Sequence, residues 1–195
     1  MSFGEFTAAV IALIVQEKEK AIVAMFRRGE AAAMDKLYAA FSGYLYAICC
    51  RYIADDEVAK DVLQEVFIKA YTKIDTFQYN GTGSLKAWLR RIAINLSIEE
   101  LRRQNATRLA IEGMANDDDD SEPNTDGMNE EVLLELIRSL PQGYQTVFNL
   151  YVIEGYSHKE ISEILDIKAY TSASQYHKAR VMLAKKIKEY KANAK

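Results

Sequence analysis

The segment from Gly155 to Lys186 constrains the fold most strongly, because it combines an explicit helix start, a tight turn and a second helix. Ser157 and Glu160 form a capping box, in which the Ser hydroxyl accepts from the N–H of residue 160 and the Glu carboxylate accepts from the N–H of residue 157. After a short apolar stripe, Asp166 to Lys168 leaves room only for a turn, and Thr171 is expected to cap the second helix. Two short helices joined in this way are typical of a helix-turn-helix.

The second helix of this segment separates its residues into two sides. The inward side takes Ser172, Tyr176, Ala179 and Leu183 at helical spacing. The outward side is polar and cationic, as expected of a helix that enters the major groove of DNA. It carries Ala173, Gln175, His177, Lys178 and Arg180, followed by Lys185, Lys186 and Lys188. The alternative is an ordinary helical hairpin with solvated lysines.

Helical patterns extend over the rest of the chain. Its 195 residues include only two prolines and nine glycines, and alternating β patterns are nearly absent, which predicts an all-α protein. Cys49 and Cys50 are adjacent and point in different directions on a helix, so we expect no disulfide framework and a cytoplasmic location. His158 and His177 have no partners at ligand spacing, which predicts neither a metal site nor a cofactor. The apolar run from Ala8 to Val15 is shorter than the ~20 residues that span a bilayer, so no membrane insertion is expected.

The charges are segregated along the chain, although the net charge is only −3. Residues 168–195 hold eight Lys/Arg against one acid, and residues 86–108 hold six against two. Between them, residues 112–131 contain nine acids and no base. Within this stretch, Asn116 to Gly127 has no apolar periodicity and is expected to be a flexible, self-repelling linker. The predicted organisation is a helical extension, a first helical domain, an acidic linker and a second helical domain. Their expected bounds are 1–20, 21–104, 105–129 and 130–195.

Two helices of the first domain carry distinctive polar faces. On the first, Asp61, Gln64 and Glu65 concentrate acceptors on one face, which is either a solvated surface or a docking site for a basic partner. The second follows a polar loop with two glycines around Asn80, and Ser84 is expected to cap it. Its outer side is basic, so it could hold phosphates while the loop accepts an unstacked base. That outer side offers Lys86, Arg90, Asn95, Glu99, Arg102 and Arg103.

Three segments in this order resemble the extracytoplasmic-function (ECF) group of bacterial RNA polymerase sigma factors. DDEVAKDVLQEVFIKAYTKIDTF resembles the family's region 2.2, and GSLKAWLRRIAINLSIEELRR resembles regions 2.3 and 2.4. LPQGYQTVFNLYVIEGYSHKEISEIL is similar to region 4.1 running into region 4.2. Tyr144, Val147, Phe148 and the run from Val152 to Tyr156 resemble the Bacteroidetes-type subset. The match spans about Ala21 to Lys188 outside the linker.

The resemblance implies a non-catalytic subunit that recruits core RNA polymerase to a subset of promoters, helps to melt them, and is held in check by an anti-sigma factor. It implies that Asp61, Gln64 and Glu65 bind core polymerase. The residues implied to open and read the minus-ten element are Asn80, Lys86, Arg90, Arg91, Asn95, Arg102 and Arg103. Those implied to read the minus-thirty-five element as duplex are Lys168, Thr171, Ala173, Ser174, Gln175, His177, Lys178 and Arg180.

Three residues of the helix-turn-helix depart from the family pattern. Asp166 stands where Gly is usual, Ser172 replaces an aliphatic core residue, and Ala173 replaces a cation. Asp tolerates the left-handed conformation better than most residues, so the turn should survive with some strain. Two other functions stay open at this point: a sigma-like decoy that sequesters an anti-sigma factor, and a helix-turn-helix regulator whose first domain dimerises or binds a ligand. An enzyme is not expected, because no nucleophile–base set or phosphate-binding loop is present.

Overall fold

The computed structural model describes residues 16–105 and 123–193, and in that part of the chain every regular element is helical. The predicted all-α class is therefore confirmed. The elements in chain order are α1 (16–27), α2 (Ala33–Tyr52), α3 (Asp56–Lys73), a 3₁₀ turn (Ile74–Thr76), α4 (Ser84–Asn105), α5 (Glu130–Arg138), α6 (Gln142–Phe148), a π-helical turn (Asn149–Ile153), α7 (His158–Leu165) and α8 (Ala169–Asn193). Residues 1–15, most of the predicted linker (106–122) and the last two residues lie outside the described part.

The chain divides between Leu101 and Arg102 into two compact units. We call them the first unit and the second unit. Among the described residues, none of the helices is both long and apolar enough to cross a bilayer. The same described ranges contain no group of three or more His, Cys, Asp or Glu side chains that could hold a metal ion.

The first unit buries the apolar stripes of its helices in one core. Asp55 caps the start of α3, because its side chain accepts from the N–H groups of Glu57 and Val58 at 3.0 and 3.1 Å. The core side chains that are fully buried include Leu37, Leu45, Ile48, Val66, Leu85, Leu89 and Ile94. Because these residues recur at helical spacing, α3 and α4 each keep one side free for polar residues.

The second unit packs α5 and α6 against the long helix α8. Its buried cluster consists of Ile137, Leu140, Tyr144, Phe148, Ala179, Leu183 and Ile187. The described end of the predicted linker also contacts α8: Lys191 Nζ donates to the carbonyl oxygens of Asn124 and Asp126, both at 3.0 Å. These last linker residues are thus held by the second unit.

The helix-turn-helix forms around the predicted capping box. The Ser157 hydroxyl accepts from the Glu160 N–H at 3.3 Å, and Glu160 accepts from the Ser157 N–H at 2.8 Å. Asp166 ends α7 in the left-handed conformation, with φ 55° and ψ 48°. The prediction that Thr171 caps the next helix is wrong, because the N–H groups of Thr171 and Ser172 already donate to the Lys168 carbonyl. The turn at Asp166 is so tight that α8 begins at Ala169.

Candidate protein and nucleic-acid interfaces

One side of α3 presents acceptors to solvent. Asp61, Gln64 and Glu65 are all exposed, as their spacing predicts. The preceding cation, Lys60, is paired with Asp56 and Glu57, with Nζ–oxygen distances of 2.8 and 2.7 Å. Hydrogen bonds from Lys60 and from the Tyr46 hydroxyl lower the pKa of Asp56. The Lys60 ammonium is therefore paired with two acids of the first turn of α3.

The same face of α3 continues into apolar residues that the sequence analysis did not single out. Ile68 follows Glu65 by three residues and is 62% exposed, and Tyr71 follows by another three and is 61% exposed. We call Asp61, Gln64, Glu65, Ile68 and Tyr71 the α3 face. An aliphatic side chain exposed beside acids is a common feature of protein-binding surfaces. The absence of Ile68 from the buried stripe of α3 is the sequence signal that could have identified it.

A surface cavity of about 430 Å³ opens where the loop before α4 meets that helix. The rings of Phe77 and Trp88 approach to 5.1 Å between centroids at its wall. Asn80 and Arg91, two of the predicted minus-ten residues, also line it. The remaining lining residues are Thr76, Gln78, Ser84 and Ala87. The cavity thus combines aromatic rings, an amide and a guanidinium, which can stack on and hydrogen-bond a planar polar ligand.

The loop beside this cavity is held by α1. The Glu19 carboxylate accepts from the N–H of Gly83 at 2.8 Å and from the N–H of Lys86 at 3.1 Å. The prediction that Ser84 caps α4 is wrong: Ser84 is the first residue of the helix, and its hydroxyl accepts from the Asn80 N–H at 3.3 Å. Glu19 supplies the cap instead, and a residue 64 positions away from its partner leaves no local signal in the sequence.

The outer side of α4 is basic, as predicted. Lys86, Arg91, Asn95, Arg102 and Arg103 are exposed, and Arg90 is half-buried. The Lys86 ammonium lies 4.2 Å from the centroid of the Tyr44 ring and makes a cation–π contact with it. These polar and basic side chains are distributed along α4, and Arg91 also lines the cavity.

The residues predicted to read the minus-thirty-five element lie at the turn before α8 and in the first turns of α8, and they differ in exposure. Lys168, Ala173, Ser174 and His177 are exposed, whereas Thr171, Lys178 and Arg180 are half-buried. Tyr170, which the sequence analysis did not include among the contact residues, is 69% exposed and has Lys168 Nζ 5.6 Å from its ring centroid. An exposed aromatic ring in the first turn of this helix is well placed to touch a bound duplex.

Gln175 does not face outward. It is only 7% exposed and packs beside Gly143 in the first turn of α6. The prediction of an outward Gln175 is therefore wrong, because α6 covers a wider arc of α8 than the apolar residues of α8 alone indicate.

Ser172, which stands where the family has an aliphatic core residue, is fully buried and paired. Its hydroxyl lies 3.0 Å from His158 Nδ1, and the His158 ring stacks on Tyr151 with 4.4 Å between centroids. A polar pair of this kind satisfies both groups inside the fold. The departure at Ser172 is thus accommodated by a neighbour on α7.

Comparison with known proteins connects these surfaces to one family. Residues 37–107 match the family described as Sigma-70 region 2, and residues 130–183 match Sigma-70, region 4. The ECF RNA polymerase sigma factor SigW of Bacillus subtilis is 32% identical over 179 residues, which cover 84% of this chain and 93% of that protein. The ECF RNA polymerase sigma-E factor of Haemophilus influenzae is 29% identical over 185 residues, covering 88% and 96%.

A solved structure shows the same fold. The sigma factor RpoE from Bartonella quintana, in a co-crystal with the anti-sigma factor NepR, aligns with a TM-score of 0.51 at 21% identity. The alignment covers 81% of this chain and 98% of that one.

Proposed function

The chain belongs to the ECF sigma factors of bacterial RNA polymerase, and from that premise we propose which surface carries each step of promoter-directed transcription. The protein directs core RNA polymerase to a subset of promoters and initiates transcription there. It is a transcription initiation factor of a family that is not enzymatic. The decoy and the helix-turn-helix regulator are not favoured, because both sigma regions match in order and the relatives match over nearly their whole length.

Core polymerase binding is assigned to the α3 face. By the family resemblance, Asp61, Gln64 and Glu65 dock on the coiled coil of the largest catalytic subunit. The exposed Ile68 supports the proposal, because an aliphatic residue bordered by charges supplies area that can be desolvated on binding. In this arrangement the acids steer the encounter with a basic partner, and Ile68 contributes to the lifetime of the complex.

Minus-ten recognition is assigned to the cavity beside Asn80 and to the basic side of α4. The cavity is the single observation that carries the proposal, since it offers stacking rings beside an amide and a guanidinium. Reading a base there requires that the base leave the duplex, which agrees with a role in melting. Along α4, Lys86, Arg90, Asn95, Arg102 and Arg103 would hold the phosphates of the same strand.

Minus-thirty-five recognition is assigned to the first turns of α8. Lys168, Thr171, Ala173, Ser174, His177, Lys178 and Arg180 stay in the proposed contact set. Tyr170 joins the set because it is exposed, and Gln175 leaves it because it is buried. A helix can read duplex DNA from the major groove without opening it. The two recognition modes therefore suit two different states of the promoter.

Several finer assignments are also proposals. We assign residues 21–104 to sigma region 2 and 130–195 to sigma region 4, with 1–20 as an extension and 105–129 as the linker. Glu19 in the extension contacts region 2 through the Gly83 N–H, and Asn124 in the linker contacts region 4 through Lys191. The residues from Tyr144 to Tyr156 support a Bacteroidetes-type ECF factor. An anti-sigma factor is the expected regulator, and the cytoplasm, where core polymerase acts, is the expected location.

Site-specific cross-linking tests these assignments. A photoreactive amino acid is placed at Asn80 or at Ser174 of the full chain, and holoenzyme is assembled on a promoter with each strand labelled separately. Residue 80 should cross-link to one strand close to the start, and residue 174 should cross-link to duplex further upstream. The exposed Ala40 on α2 is the control position and should not cross-link to DNA. Cross-links from residues 80 and 174 to the same DNA segment would contradict the division of labour.

A further inference from the structure

The carboxylate of Glu19 is almost completely buried, although Glu19 lies in the predicted helical extension of residues 1–20. Its side chain is on α1 and the residue is 1% exposed. Burying a carboxylate away from water is costly unless hydrogen bonds satisfy it. The donors that satisfy Glu19 are backbone N–H groups of the loop that borders the cavity, so α1 is joined to the proposed minus-ten site.

The two donors are at special positions in α4. Gly83 precedes the helix and Lys86 is its third residue, the same pair of positions that a capping box satisfies within one helix. Here the acceptor comes from another helix, and its negative charge also interacts favourably with the dipole of α4. Gly83 has φ +82°, a conformation that Gly adopts without strain and that directs its N–H toward Glu19. One turn earlier on α1, Gln16 Oε1 accepts from the Thr82 hydroxyl at 3.2 Å.

These bonds lead directly to the cavity. Ser84 lies between the two N–H groups that Glu19 holds, and the Ser84 hydroxyl accepts from the Asn80 N–H. Ser84 and Asn80 both line the cavity, together with Trp88 and Arg91. The position of Asn80 therefore depends on Ser84, and the position of Ser84 depends on Glu19.

We propose that Glu19 is a positioning residue for base capture: by clamping Gly83 and Lys86, it holds the loop in the shape that receives an unstacked base. The proposal rests on the proposed minus-ten function of the cavity. It makes α1 part of the DNA-reading apparatus. Glu19 acts through the backbone of residues 80–86 and does not itself touch DNA.

The test uses holoenzyme, assembled from core polymerase and the full chain, with a promoter fragment pre-melted over the minus-ten element. Each non-template base of that element is replaced in turn by an abasic site, and the affinity is measured. For the wild type, an abasic site at the position of the captured base should lower the affinity about tenfold, because base–aromatic stacking is lost there. In Glu19→Ala the affinity for the intact fragment should fall about fivefold, and the penalty at that one position should shrink to under twofold.

Two further variants make the test decisive. Glu19→Gln keeps an acceptor oxygen and should show an intermediate abasic penalty. It replaces Glu19→Ala in the measurement if the Ala variant does not fold. Glu17→Gln, on the exposed side of α1 with a side chain that is 67% exposed, should behave as the wild type. Affinity for core polymerase, measured in parallel, should be unchanged in all of them.

The outcomes separate the two claims. If Glu19→Ala keeps the tenfold penalty at the captured base, Glu19 only stabilises the unit, and the positioning role is overturned. If the wild type shows no abasic penalty at any position, base capture by the cavity is overturned, together with the role of Glu19 in it. The proposal is supported if the wild type and Glu17→Gln show the abasic penalty and Glu19→Ala loses it.

Discussion

Truncating Ile68 should weaken binding to core polymerase while leaving the fold intact. The residue is 62% exposed in the free protein. Complete burial of an Ile side chain is worth roughly 1.5–3 kcal/mol, so burying this exposed fraction in an interface is worth about 1–2 kcal/mol. Ile68→Ala keeps the β-carbon and should lose about 1–1.5 kcal/mol of binding free energy, which corresponds to a roughly five- to fifteenfold higher Kd. Because the lost groups face solvent before binding, the free energy of unfolding should change by less than about 0.5 kcal/mol.

The assay is equilibrium competition for core polymerase between labelled wild type and unlabelled variants, at low and at high salt. Ile68→Leu conserves the apolar volume and is the matched control, expected within about twofold of the wild type. The effect of Ile68→Ala should persist at high salt, since burial of apolar area is not screened. An Ile68→Ala variant that binds as tightly as the wild type would place Ile68 outside the interface and refute the argument from its exposure.

Three other results are expected. Asp61→Ala combined with Glu65→Ala should lower polymerase affinity roughly tenfold at about 0.1 M salt without unfolding the protein, and the loss should shrink at about 1 M salt; unchanged affinity at both would exclude these acids from docking. Asp166→Gly should raise the free energy of unfolding of the second unit by about 0.5–1 kcal/mol. Gly has no steric penalty in the left-handed conformation at φ 55°, and this gain is larger than the extra conformational entropy that Gly loses on folding. A variant that is less stable than the wild type in chemical denaturation would contradict this. Burial raises the pKa of the Cys49 thiol from 9.0 to about 11, so the folded protein should resist alkylation of Cys49 at about pH 8. Because the thiol ionises more readily in the unfolded chain, the free energy of unfolding should fall as the pH rises from 9.0 to about 11. A Cys49→Ala variant that loses stability as steeply over that range would show that Cys49 is not the cause.

Local features of the fold were predictable because their physics is local. The capping box of Ser157 and Glu160 joins residues three positions apart, and Asp55 caps α3 through the same kind of short-range bond. The left-handed turn at Asp166 follows from the few residues available between two helices. Periodicity likewise placed Asp61, Gln64 and Glu65 together on an exposed face.

The features that sequence reasoning missed depend on which elements pack together. Gln175 lies on an arc of α8 that its own polarity marks as exposed, but α6 covers that arc at Gly143. Ser84 has the right residue type for a cap, but it is the first residue of α4, and Glu19 reaches the N–H groups of this helix start from another helix. Contacts between positions more than thirty residues apart follow from tertiary packing, and neither helix propensity nor periodicity predicts them.

Transcription with sigma-free core polymerase, this protein and genomic DNA fragments tests the central claim most directly, with the transcript starts mapped by sequencing. The account predicts discrete starts, each preceded by the same two spaced upstream elements, and their loss when the protein is omitted. Tight binding to core polymerase with no discrete start from any fragment would contradict it.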